Sequence, residues 1–189
     1  PAPFGVVGTG RWLRAVGEAV GRGVQVEQAW QRCRETHREA WEALVARAAG
    51  RRLCFVGRSS QIELLTTPAE TWGVPLLETV EEMGFGVDAL LHVRGRRSAR
   101  ESARAVQQIF ARPADHTLRA FETPEQMHSR LAASEAQAVF SQHGFDWRVT
   151  QAGKIPFSLM HFEHGPRGAL LTLERLLGLC ETTFYRRFA

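Results

Sequence analysis

The chain has 189 residues, 44% of them hydrophobic, and a formal net charge of +4. That length and apolar content suffice for a filled core, while no run of about 18 apolar residues exists to span a bilayer. Lys154 is the only lysine, most arginines are interspersed with acids, and the basic stretch 94–100 has no interleaved aromatic residue, so no nucleic-acid partner is expected.

Residues 3–20 carry glycines at 5, 8 and 10 ahead of a helical pattern, and superficially suggest a dinucleotide-binding loop. That fingerprint needs a strand, then G-x-G-x-x-G, then a distant acid for the ribose. In the tightest frame, from Gly8, the third glycine is replaced by Leu13, and Pro1 and Pro3 break any feeding strand. No NAD is therefore expected. The alternative is an extended lead-in, Thr9 as helix N-cap, and an amphipathic helix with Trp12, Leu13, Val16 and Val20 on one face. After a break at Gly21 and Gly23, a long helix is predicted over 27–48. Its stripe of Trp30, Cys33, His37, Trp41, Leu44 and Ala48 reads as buried, with His37 a packed histidine.

Gly50 ends that helix, and residues 52–56 read as a buried parallel strand running into a polar loop, 57–60. Further on, helix is predicted over 75–83, 100–111 and from Thr123, which caps Pro124 and Glu125. Strands are predicted over 85–93, 117–121, 136–141 and 155–162, and a last helix from Gly165 to about Cys180. The tail 182–188 is aromatic and basic. This alternation describes an α/β fold, a Rossmann-like parallel sheet with helices on both faces, preceded by two helices.

In such sheets ligands sit beyond the carboxyl ends of the strands. The loops to test are Arg58-Ser59-Ser60, then Ser141-Gln142-His143 with Asp146, and His161 to His164 leading to Arg167. Strand periodicity sets His161 and Glu163 on one side. His164 and Arg167 then lie at the mouth of a helix, which favours an anion. His161, Glu163 and His164 are of metal-ligand type but match no self-sufficient metal motif. Cys33, Cys54 and Cys180 form no C-x-x-C pair and read as small hydrophobes, in keeping with a cytoplasmic chain. The N-terminus shows no basic-then-apolar leader.

The order of these segments resembles the carboxyl-terminal half of nitrogenase component 1 subunits and the light-independent protochlorophyllide and chlorophyllide reductases. The matching pieces are the segment 3–13 with its Gly-Thr-x-x-Trp-like run, the strand entry 50–57, the turn 77–87, the Gly-Lys-Ile-Pro entry 153–157, and the helix start 165–169. The resemblance implies a helical lead-in at 1–50 and a final Rossmann-like domain at 51–189. It also implies that Arg58 flanks a cofactor and that Met160-His161 supplies a metal ligand, with Glu163 or a backbone carbonyl behind the imidazole. Arg58 and Arg167 would contact anionic groups, and Ser59, Ser60, His143 and His164 would complete the cofactor-binding set. The implied cofactor is an iron-sulfur or iron-molybdenum-type cluster held jointly with other chains or domains, because the cysteines that hold it in the family have no counterparts here. The implied partners are a homologous cysteine-bearing subunit and an ATP-dependent iron-sulfur reductase, since no P-loop is present. The expected function is a nitrogenase-like oxidoreductase component in a heteromeric complex, not catalytic alone; the alternative is a non-catalytic cofactor carrier or assembly scaffold.

Overall fold

The computed structural model describes residues 2–58, 74–92, 104, 108, 110–140 and 147–183. Two helices lead: α1 (Gly5–Ala19) and α2 (Gly23–Ala48). They are followed by β1 (Arg52–Arg58), α3 (Leu76–Glu82), β2 (Gly86–His92), a 3-10 turn at Pro113–Asp115 and β3 (His116–Phe121). The chain continues with α4 (Pro124–Ala132), β4 (Ala138–Phe140), α5 (Trp147–Gln151), β5 (Ile155–Phe157), a 3-10 turn at Leu159–His161 and α6 (Gly165–Glu181). The five strands form one parallel sheet in the order β3-β2-β1-β4-β5. The predicted helix over 100–111 falls mostly outside the described residues, as does most of the aromatic tail.

Alternation along the strands divides the core in two. Leu53 and Phe55 of β1 face one layer, with Val87, Ala138, Phe140 and Phe157, against α3 and α6. Cys54 points the other way and packs with Leu90, Val139 and residues of α4 and α5 such as Leu131 and Val149. Helices on both faces explain why the strands read as apolar runs. Asp88 interrupts the run in β2, and the structure accounts for it. Its carboxylate accepts hydrogen bonds from Arg52 Nε (2.9 Å) and Nη2 (2.6 Å), Thr117 Oγ1 (2.6 Å) and Ser134 Oγ (2.5 Å). Burial opposes its ionisation, but the bonds from Ser134, Thr117 and Arg52 prevail and hold the carboxyl below the usual range.

α1 departs from the sequence expectation. It starts at Gly5, so Thr9 lies inside the helix, its hydroxyl donating to Gly5 O at 2.5 Å and Pro3 O at 3.1 Å. No side chain at the N-cap residue Phe4 serves the first turn. Glu82, at the end of α3, does so instead: its carboxylate accepts from Val6 N at 2.7 Å and Val7 N at 2.9 Å. Gly5 has φ +66°, and a Cβ there would lie 2.9 Å from Glu82 Cδ, so only glycine admits this cap. The anion at this glycine-rich helix start is therefore a carboxylate of the same chain. Inward, α1 presents Gly10 and Gly17, whose missing side chains let it close on α2; a Cβ at Gly10 would lie 2.9 Å from Trp30 Nε1. Trp12, Val16 and Val20 point outward, Val20 being 60% exposed.

The stripe on α2 is only partly buried. Trp30 meets α1, and Leu44 and Ala48 enter the core. Cys33, His37 and Trp41 between them are half-buried and line an open groove of about 230 Å³. His37 is thus a groove residue and not a packed one.

Candidate functional site

The strand order reverses direction between β1 and β4, which makes their carboxyl ends the switch point of the sheet. β1 stays paired with β2 as far as Arg58 opposite His92. Among the described residues, its pairing with β4 ends three residues earlier, at Phe55 opposite Phe140. Ligands of such sheets sit in the crevice beyond these strand ends. The core beneath them is aromatic. Phe55, Phe140 and Phe157, one from each of β1, β4 and β5, have ring centroids 5.5 to 5.8 Å apart. All three are buried.

The expected site residues are distributed as follows. Arg58 is the last residue of β1, at the cleft. Ser59, Ser60 and His143, with Ser141, Gln142 and Asp146, lie outside the described residues. β5 stops at Phe157, five residues short of its predicted end, so strand periodicity does not govern His161 and Glu163. His161 closes the 3-10 turn that follows, with its ring edge-on to Phe157 at 6.2 Å. Ser158 N donates to its Nδ1 at 3.3 Å, closing a capping box, and Ser158 O lies 3.2 Å from the same nitrogen. With Nδ1 accepting from Ser158 N the proton sits on Nε2; Nε2 has a free lone pair only in the other tautomer, in which Nδ1 donates to Ser158 O.

Glu163 turns away from His161. Its carboxylate pairs with Arg175 at 2.5 Å, while its amide donates to Thr172 Oγ1 at 3.0 Å. Gly168 makes this possible, since a Cβ there would lie 2.7 Å from the Glu163 carbonyl carbon. His164 is held by the N-terminal segment: its ring lies tilted against Phe4 at 4.1 Å, and Gly165 N donates to Pro3 O at 2.7 Å. Arg167 is exposed in the first turn of α6. The structure thus brings Arg58 and His161 to the carboxyl edge of the sheet, and places Glu163, His164 and Arg167 around the start of α6.

His92 was not singled out in the sequence. It ends β2 beside Arg58, and its ring lies 5.4 Å from Phe121. Two exposed apolar side chains also follow strand ends here, Trp147 after β4 at 64% and Met160 after β5 at 85%. At the amino edge, by contrast, His116 and Glu81 are both buried and bonded to each other at 3.0 Å. Val87 N donates to His116 Nδ1 at 3.0 Å, so Nε2 carries the proton toward Glu81. Burial works against the charged Glu81, but His116 and the amides of Ala111 and Arg112 hold its carboxyl below the usual range. This pair braces α3 against β3 and lies away from the cleft.

Among the described residues no three His, Cys, Asp or Glu side chains are grouped to hold a metal ion, and no helix is long and apolar enough to cross a membrane. Among the described residues the carboxyl edge carries two imidazoles, at His92 and His161, which fall short of a self-sufficient metal site. No family model and no curated protein matches the sequence. Among solved structures, the chain is similar to nitrogenase Cp1 chains determined at pH 5 and at pH 6.5, each with a TM-score of 0.59 at 11% identity. The similarity covers 98% of this chain but only 42% and 44% of those chains, so this chain spans less than half their length. The two leading helices and the Rossmann-like sheet together form a nitrogenase-like fold.

Proposed function

We propose that this chain, with residues 1–50 as lead-in and 51–189 as the Rossmann-like domain, is part of a nitrogenase-like oxidoreductase component. It forms one wall of a metal-cluster or tetrapyrrole site in a heteromeric complex. The observation that carries this reading is the similarity to nitrogenase Cp1 over 98% of the chain, lead-in helices included. The remaining walls and the cysteine ligands come from a homologous subunit or domain, which also covers Trp147 and Met160. Electrons arrive from an ATP-dependent iron-sulfur reductase.

In this arrangement His161 Nε2 is the metal ligand, with the ring in the Nδ1–H tautomer that donates to Ser158 O, while Glu163 is engaged with Arg175. Arg58 contacts anionic groups of the cofactor at the switch point, with Ser59, Ser60 and His143 in the adjoining loops. Arg167, with His164 behind it, meets a more peripheral anion. A bound cluster or tetrapyrrole supplies the electron-accepting chemistry that side chains lack.

The test is to co-express the chain with a cysteine-bearing partner subunit and measure metal retained by the purified complex under chelator. His161→Ala is expected to lower the retained metal by about tenfold or more. Unchanged metal content and unchanged activity in that variant would remove His161 from the site.

A further inference from the structure

We propose that the groove between α2 and α6 binds a planar aromatic molecule bearing a single carboxylate. This site lies apart from the strand-end cleft, and the proposal stands or falls independently of the nitrogenase-like reading.

The groove arises because, among the described residues, α2 is most firmly supported near its two ends. Trp30 packs on Gly10 of α1, and Leu44 and Ala48 enter the main core. Over the middle of the helix the apolar stripe continues through Cys33, His37 and Trp41, with nothing packed fully against it. Val6 of α1 and Pro166 and Leu170 of α6 form the opposite side. Two indoles, an imidazole, a proline ring and a leucine make walls that favour a flat apolar guest. The volume of about 230 Å³ lies below the usual range of about 300–1,000 Å³ for ligand pockets. This limits the guest to roughly two fused rings.

The charges at the rim select an acid. Arg38 is paired with Glu35 at 3.1 Å. Arg34 has no ion-pair or hydrogen-bond partner among the described residues, and the acid whose titration it influences, Glu27, is already bonded by Arg14 and Gln31. A guanidinium fork without an acid, beside aromatic walls, is suited to bidentate recognition of a carboxylate. Glu42, on the same rim, disfavours a second negative group.

Cys33 lines the groove and reports its occupancy. The other two thiols are buried, and burial pushes both up, that of Cys180 to about 12. Alkylation of the native protein is therefore confined to Cys33. The probe is naphthalene-2-carboxylate, with 2-naphthamide as the uncharged control, and the readout is the rate of Cys33 modification by iodoacetamide, mapped by mass spectrometry. The carboxylate is expected to give saturable protection, and the amide to require about tenfold more ligand for the same effect. Arg34→Ala is expected to erase that difference without unfolding the chain, because Arg34 is exposed; Arg34→Lys should fall between. Absence of saturable protection, equal protection by the amide, or an Arg34→Ala variant that still prefers the acid would each overturn the proposal.

Discussion

Asp88→Ala is expected to destabilise the chain by about 3–5 kcal/mol, the cost of removing one partner of a buried ion pair. The magnitude follows from what the substitution leaves behind. Asp88 is 7% exposed and holds Arg52, Thr117 and Ser134 together across β1, β2, β3 and the segment after α4. With the carboxylate gone, the Arg52 guanidinium keeps only the backbone acceptors Val87 O and Asp115 O, and two hydroxyls lose their acceptor. Thermal unfolding should fall by on the order of 10 °C for a chain of this size. Asp88→Asn, which keeps the shape and one acceptor, should cost clearly less. Equal loss in the two variants would mean that packing, and not the charge network, sets the effect.

The second large effect concerns the docking of α1. Gly5→Ala is expected to cost about 2–3 kcal/mol, combining a side chain forced into the left-handed region with the loss of a helix cap. Burial raises the Glu82 carboxyl to about 7 against the two amide bonds from Val7 and Val6; Glu78 and Arg11 stand nearby with opposing effects. Since the native pKa exceeds the unfolded value near 4.5, the native state binds the extra proton between these limits. The stabilisation is complete below the unfolded value and is lost as pH rises through about 7. Glu81 and Asp88 act in the opposite sense in acid, where their stabilisation is lost as pH falls. Urea unfolding at pH 5 and pH 8 should therefore show wild type losing stability on the alkaline side, with Glu82→Gln nearly level. A wild type and a Glu82→Gln variant with the same pH slope would refute the assignment.

The sheet was legible because strands covered on both faces are written as apolar runs, and the run at 52–56 sits at the centre of the observed order. The lead-in helices were legible as helices but not in their packing. A helix that docks through glycines shows its apolar residues outward, and periodicity counts side chains, not their absence; hence Trp12, Val16 and Val20 misled. The cap at Gly5 depends on Glu82, far along the chain, which no local signal connects to it. In the site, the switch-point rule located Arg58, but β5 is shorter than its apolar pattern, so His161 stands on a turn. His92 and the bracing role of Asp88 were present as polar residues in the predicted strand 85–93, and a question about what neutralises a charge within that run would have found the latter.

In the proposed assembly the carboxyl edge of β1, β4 and β5 faces a cofactor completed by another polypeptide. A cryo-electron microscopy structure of the chain purified with its cysteine-bearing partner tests it most directly. Cofactor density is expected at that edge, in contact with His161 Nε2 and close to Arg58, with partner chain over Trp147 and Met160. A complex whose cofactor lies elsewhere while this edge opens to solvent would contradict it.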